Sequence, residues 1–67
     1  MRQWLLDIRN MRGKTQAEAA ELVGIAQSTY ACIETGTRNP SVSIAKRIAA
    51  VLGFDWTEFY DDDGESA

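Results

Sequence analysis

The chain divides into short apolar stripes at helical spacing, each closed by a glycine or a proline. Leu5 and Ile8, with Trp4 and the stem of Arg9 beside them, predict a helix from Arg2 to Arg12, ended by Gly13. Thr15 is a good N-cap, and Glu18 stands three residues later, so a capping box opens the second helix. That helix carries Ala19, Ala20 and Val23 inward and stops at Gly24. A third runs from Ala26 or Gln27 to Glu34 or Thr35, with Tyr30 and Ile33 as its inner face and Gly36 at its end. Pro40 forbids helix through the loop Thr37-Arg38-Asn39-Pro40, because it lacks an N–H and its ring crowds the preceding residue. Ser41 then caps a fourth helix, whose stripe is Ile44, Ala45, Ile48 and Leu52 and whose stop is Gly53. Asp55 caps a last short turn holding Trp56, Phe59 and Tyr60.

No stretch alternates apolar and polar residues as a half-buried strand does. The expected fold class is therefore all-α, a compact bundle of four to five short helices. Residues 1–60 are expected to form the domain. Residues 61–67 have no apolar anchor and are expected to be an acidic, disordered tail.

Composition narrows the function. With 67 residues there is room for one small domain, and a chain of that size buries only about 60% of its unfolded surface. Neither a two-lobed cleft nor a separate sensing domain fits. Hydrophobic residues make up 45% of the chain, but no apolar run approaches the roughly 18 residues of a membrane span. The opening MRQWLLDIRN breaks at Asp7 and does not read as a signal peptide. Cys32 is the single cysteine and there is no histidine. A disulfide framework, a cysteine-based metal site and Cys-His catalysis are thereby set aside, and a cytoplasmic location is expected. No carboxylates form a convincing acid-base pair and no glycine loop cradles phosphate, so neither an enzyme nor a cofactor is expected.

The net charge of −3 argues at first against a nucleic-acid partner. Four of the ten acids, however, are Asp61, Asp62, Asp63 and Glu65 in the tail. Elsewhere six acids face seven bases, a net of +1. That is a weak electrostatic attraction for DNA.

The stretch Thr15 to Pro40, TQAEAAELVGIAQSTYACIETGTRNP, sets two short helices around a tight turn at Gly24-Ile25-Ala26. Glycine suits the left-handed conformation that swings one helix sharply into the next. The small Ala20 lets the helices approach, and Ile25 fills the angle between them. Such a pair can project the start of its second helix into a major groove.

This run resembles the DNA-binding domain of the phage repressor and Cro superfamily, the XRE family. The residues that carry the resemblance are Thr15-Gln16, Ala20, Gly24, Ile25, Ile33-Glu34, Gly36 and Pro40, with Arg9 seven residues before Gln16. It spans roughly Leu5 to Tyr60. It implies a lambda-repressor-like helix-turn-helix fold and a double-stranded DNA partner.

The resemblance also implies roles. Gln27, Ser28 and Thr29 fall at the exposed start of the recognition helix as base-contact candidates. A glutamine there can pair with adenine N6 and N7. Cys32, the fourth base-contact candidate, lies one turn further on the same face, where the family commonly carries longer polar side chains. Gln16 falls where the family contacts a backbone phosphate, and Arg38 and Asn39 lie in the loop that does likewise. Lys14 stands where the family usually has an apolar residue, so it is either a phosphate contact or a solvated cation, and Arg12 is similar. Arg9 and Glu34 match positions the family joins in a partly buried structural ion pair.

Each of these polar residues also has a plain reading as solvated surface, and Lys46 and Arg47 are expected to be solvated. The aromatic end, Trp56, Phe59 and Tyr60, is expected to be mostly core, with an exposed part available to a homodimer contact. Two functions follow: a sequence-specific DNA-binding regulator, acting as a small repressor, or an antitoxin-like protein-interaction module on the same fold. The low charge and acidic tail favour the second; the lack of a partner-wrapping segment counts against it.

Overall fold

The computed structural model describes residues 1–60. The expected disordered tail at 61–67 lies outside the described residues. Four helices follow in order, α1 (Gln3–Met11), α2 (Gln16–Val23), α3 (Gln27–Thr35) and α4 (Val42–Leu52), and residues 58–60 begin a further helical turn. Among the described residues there is no strand.

The helix starts follow from local hydrogen bonding. Thr15 accepts the Glu18 N–H at 3.1 Å while Glu18 accepts the Thr15 N–H at 2.9 Å, a reciprocal capping box. Ser41 accepts the Ile44 N–H at 3.3 Å and opens α4 in the same way. Asp55 accepts the backbone and hydroxyl hydrogens of Thr57, at 3.0 and 2.8 Å, and opens the last turn. These bonds hold its carboxyl below its ordinary range, with the backbone bond the larger cause.

Gly24 sets the angle between α2 and α3. Its φ of 88° is left-handed, and its N–H reaches the Ala20 and Glu21 carbonyls at 2.8 and 3.2 Å. The chain therefore leaves α2 within one residue and starts α3 three residues later.

The core is Leu5 from α1, Ala19, Ala20 and Val23 from α2, Tyr30 and Ile33 from α3, Ala45, Ile48 and Leu52 from α4, and Phe59. α2 packs on both α3 and α4, and α1 on α3. Two alanines of α2 and two of α4, Ala45 and Ala49, are buried, so these helices can approach closely. Ile44, at the edge of the α4 stripe, is half-buried and packs against the core, and Ala49 joins the stripe as a further buried residue.

At the aromatic end Phe59 belongs to the core, as expected for most of that end, and it drops out of the candidates for a dimer contact. Phe59 is 2% exposed, with Trp4 edge-on to its ring at 5.2 Å and Phe54 tilted against it at 5.7 Å. It closes the core beneath α1 and is not available to a dimer contact. Trp56 is half-buried, meeting the exposed Tyr60 edge-on at 5.5 Å and lying under the Lys46 ammonium at 5.2 Å. Lys46 is thus held over a ring rather than simply solvated.

Candidate nucleic-acid interface

The inward face of α3 fixes what its outward face can offer. Tyr30, Ile33 and Glu34 are buried at helical spacing, so Gln27, Ser28 and Cys32 are turned outward and exposed, with Thr29 half-buried at the edge. The helix starts at Ala26, whose side chain cannot cap it. Its first turn therefore presents uncapped N–H groups together with the Gln27 and Ser28 side chains.

Two shallow grooves flank this helix start. Arg9, Asn10, Gly13, Lys14, Thr15, Gln16, Ala17 and Gln27 line the first. It joins Lys14 and Gln16, two of the phosphate candidates, to the first residue of α3. The capping box takes the Glu18 and Thr15 N–H groups and leaves those of Gln16 and Ala17 at the groove. Thr29, Ile33, Arg38, Asn39, Pro40, Ser41 and Ile44 line the second groove. There the cation of Arg38 and the amide of Asn39 stand beside the start of α4. Both grooves thus combine a cation, an amide and a helix N-terminus, the arrangement that suits an anion such as a phosphodiester.

Behind the first groove lies a buried polar network. Arg9 Nε is 2.8 Å from Glu34 Oε2, and Arg9 Nη2 is 3.2 Å from Glu34 Oε1, a two-point pairing. Arg9 Nη1 also donates to the Lys14 carbonyl at 2.8 Å, and Gln16 Nε2 donates to Glu34 Oε1 at 2.9 Å. The network therefore ties α1, α2 and α3 together directly beneath Lys14 and Gln16. One of the two hydrogens on the Gln16 amide nitrogen is committed to Glu34 and the second is left for another acceptor.

Burial pushes the Glu34 carboxyl up, but the hydrogen bonds from Arg9 and Gln16 outweigh it and hold the group below its ordinary value of 4.5. The Tyr30 hydroxyl is raised, chiefly by burial and further by the Glu34 charge, and finds no well-formed hydrogen bond there.

A carboxyl with a depressed folded-state pKa adds stability that is complete above its unfolded value and is lost as pH falls through the folded one. The urea midpoint is therefore expected to hold steady down to about pH 5.5 and to fall progressively below about pH 4.5. Asp55 titrates in the same direction, so the decline should persist in Asp55→Asn. Urea titrations from pH 7 to pH 3 check this, and an acid-independent midpoint would contradict the role of the Glu34 charge.

Two arginines have roles that spacing did not reveal. Arg12, expected at phosphate or in solvent, donates from Nε to the Leu52 carbonyl at 2.8 Å and from Nη2 to the Gly53 carbonyl at 3.5 Å. It caps the end of α4, where the helix dipole favours a cation. Arg2 is 2% exposed and lies against the end of α3 and the loop after it. Its partners are 31 to 37 residues away, so no local signal could have pointed to it.

The chain belongs to the helix-turn-helix family of the phage repressor and Cro (XRE) type. The family model described as "Helix-turn-helix" matches residues 5–59. The chain is 48% identical over 62 residues to the uncharacterized HTH-type transcriptional regulator YqaF of Bacillus subtilis, covering 92% of this chain and 82% of that one. It is 39% identical over 67 residues to an uncharacterized HTH-type transcriptional regulator of Methanothermobacter thermautotrophicus, covering 96% and 97%. It is 33% identical over 58 residues to the HTH-type transcriptional regulator PuuR of Escherichia coli, 87% of this chain but 31% of that protein. No solved structure gives a significant match.

Among the described residues, no helix is long and apolar enough to cross a membrane, and no group of three or more histidines, cysteines, aspartates or glutamates could hold a metal ion.

Proposed function

We propose that this domain binds double-stranded DNA in a sequence-specific way, with the start of α3 in the major groove, and acts in the cytoplasm as a small transcriptional repressor. The observation that carries this reading is the exposed polar start of α3 between two grooves, each supplying a cation and a helix N-terminus. The relatives' names as HTH-type transcriptional regulators support it. Gln27, Ser28 and Thr29 face base edges, with Cys32 one turn further along the same face. Lys14 and Gln16 hold one phosphate strand and Arg38 and Asn39 the other. Residues 1–60 carry this activity.

A homodimer on two half-sites belongs to the same proposal, because one helix start covers only a few base pairs. With Phe59 in the core, Tyr60 and the open edge of Trp56 are the aromatic surface left for that contact.

Charge separates the phosphate residues from one another. Arg38→Ala should weaken binding to every duplex alike and should flatten the salt slope of log K by about 0.9, one counterion's worth. Gln16→Ala should also weaken all sequences alike, but it should leave the slope unchanged because the amide carries no charge. Fluorescence titrations of one duplex and its single-base variants over a salt series check both. An Arg38→Ala variant with an unchanged slope and affinity would remove that loop from the interface.

A further inference from the structure

Arg2 stands outside the matched family segment, yet its guanidinium is buried at the junction behind the second groove. Nη1 donates to the carbonyl of Ile33, in the last turn of α3, and to that of Arg38, while Nη2 donates to Oδ1 of Asn39. The Arg2 backbone N–H donates to the Glu34 carbonyl at 2.8 Å, and the guanidinium lies 5.4 Å from the centre of the Phe59 ring. One side chain thus joins the end of the recognition helix to the two loop residues assigned to phosphate.

We propose that Arg2 is a positioning residue for DNA binding: it clamps the Arg38–Asn39 loop onto the end of α3 and fixes the Asn39 amide with its N–H groups turned to the phosphate. This rests on the DNA-binding reading given above. The chemistry of the donor decides the amide's orientation. A guanidinium only donates, so the Asn39 atom that faces it must be the oxygen. The NH2 group then points away from Arg2. Asn39 itself is exposed and lines the groove with Thr29, Arg38 and Ser41. An unclamped asparagine would present oxygen or nitrogen to that groove with little preference, and oxygen repels phosphate. Holding the loop beforehand also removes an ordering cost that binding would otherwise bear. Arg2 itself is too deeply buried to touch DNA, so its effect passes through Asn39 and Arg38.

The test uses Arg2→Lys in the full 67-residue chain, a change that keeps the positive charge but replaces the planar fork with a single ammonium. Two readouts apply, at a temperature where circular dichroism shows every variant folded. The first needs no DNA. The side-chain amide signal of Asn39 in 15N relaxation should be as ordered as the backbone in the wild-type chain and mobile in Arg2→Lys.

The second readout is a binding cycle on a duplex enriched from a random pool by the wild-type chain. Arg2→Lys should weaken binding about tenfold, the size of one charge-assisted hydrogen bond, without changing base preference. In the Asn39→Ala background the same change should cost less than about threefold, because the group it positions is gone. A merely structural role would give penalties that multiply. An Asn39 amide equally ordered in Arg2→Lys, or multiplying penalties, would overturn the proposal. If Asn39→Ala binds as the wild type does, the proposal falls while DNA binding through α3 stands. If the wild-type chain enriches no duplex, both fall.

Discussion

Glu34→Ala is expected to lose about 3 kcal/mol of stability or more, a large share of what a domain of this size holds. The residue is fully buried, and its carboxylate receives Arg9 at two points and Gln16 at a third. Removing it strands a guanidinium that is itself only 8% exposed. The penalty for leaving a buried charge unpaired is about 3–5 kcal/mol, far above the worth of a surface pair. At about 0.05–0.15 kcal/mol per residue a 67-residue chain holds only roughly 3–10 kcal/mol, so a single loss of that order takes a large share of it. Arg9→Met should be comparably damaging, because Glu34 keeps only its bond to Gln16. The double variant Arg9→Met with Glu34→Leu removes both charges, and it should cost clearly less than the two single changes together. Urea titrations of the four proteins decide this. Simple additivity would mean that the two groups act independently despite their contact.

Gln27→Ala is expected to abolish the preference for one base pair in each half-site, a loss of discrimination of about 1–3 kcal/mol, or roughly five- to 150-fold. Gln27 is exposed at the first position of α3, and it also lines the first groove with Gln16 and Lys14. From there an amide can extend to a base edge while its neighbours stay on the strand. Its loss should leave the salt slope unaltered, since no charge is removed. Titrations against the enriched duplex and its single-base variants measure both quantities. A uniform loss of affinity with the base preference intact would assign Gln27 to the backbone. Ser28, Thr29 or the shape of the duplex would then carry the reading.

The helix boundaries were legible because the signals that set them are local. The Thr15–Glu18 box, the left-handed glycines at 24, 36 and 53, and the Ser41 cap each act within three or four residues of the chain. The inward faces of α2 and α3 followed from spacing for the same reason. What spacing could not show was which distant backbone a long side chain would reach. Arg12 looked like a cation near the start of α2, yet it crosses to the end of α4, 40 residues away. Arg2 had no pattern around it at all, and its site is built by a helix end and a loop that fold against it. The aromatic end reads as mostly core, but spacing does not say which of its rings stays exposed, and Phe59 does not. The choice was made by Trp4 and Phe54, which close over it. The outward face of α3 was legible as a face, but its division into two flanking grooves needed the tertiary fold.

Whether the start of α3 reads sequence is decided by selection of bound fragments from a random duplex pool, carried out with the full chain at low and at moderate stated salt. One enriched motif is expected. It should be a palindrome whose half-sites lie about 10 base pairs apart, centre to centre, with the same motif recovered at both salts. A pool that stays unenriched, with retention that only falls as salt rises and is equal for all sequences, would contradict it.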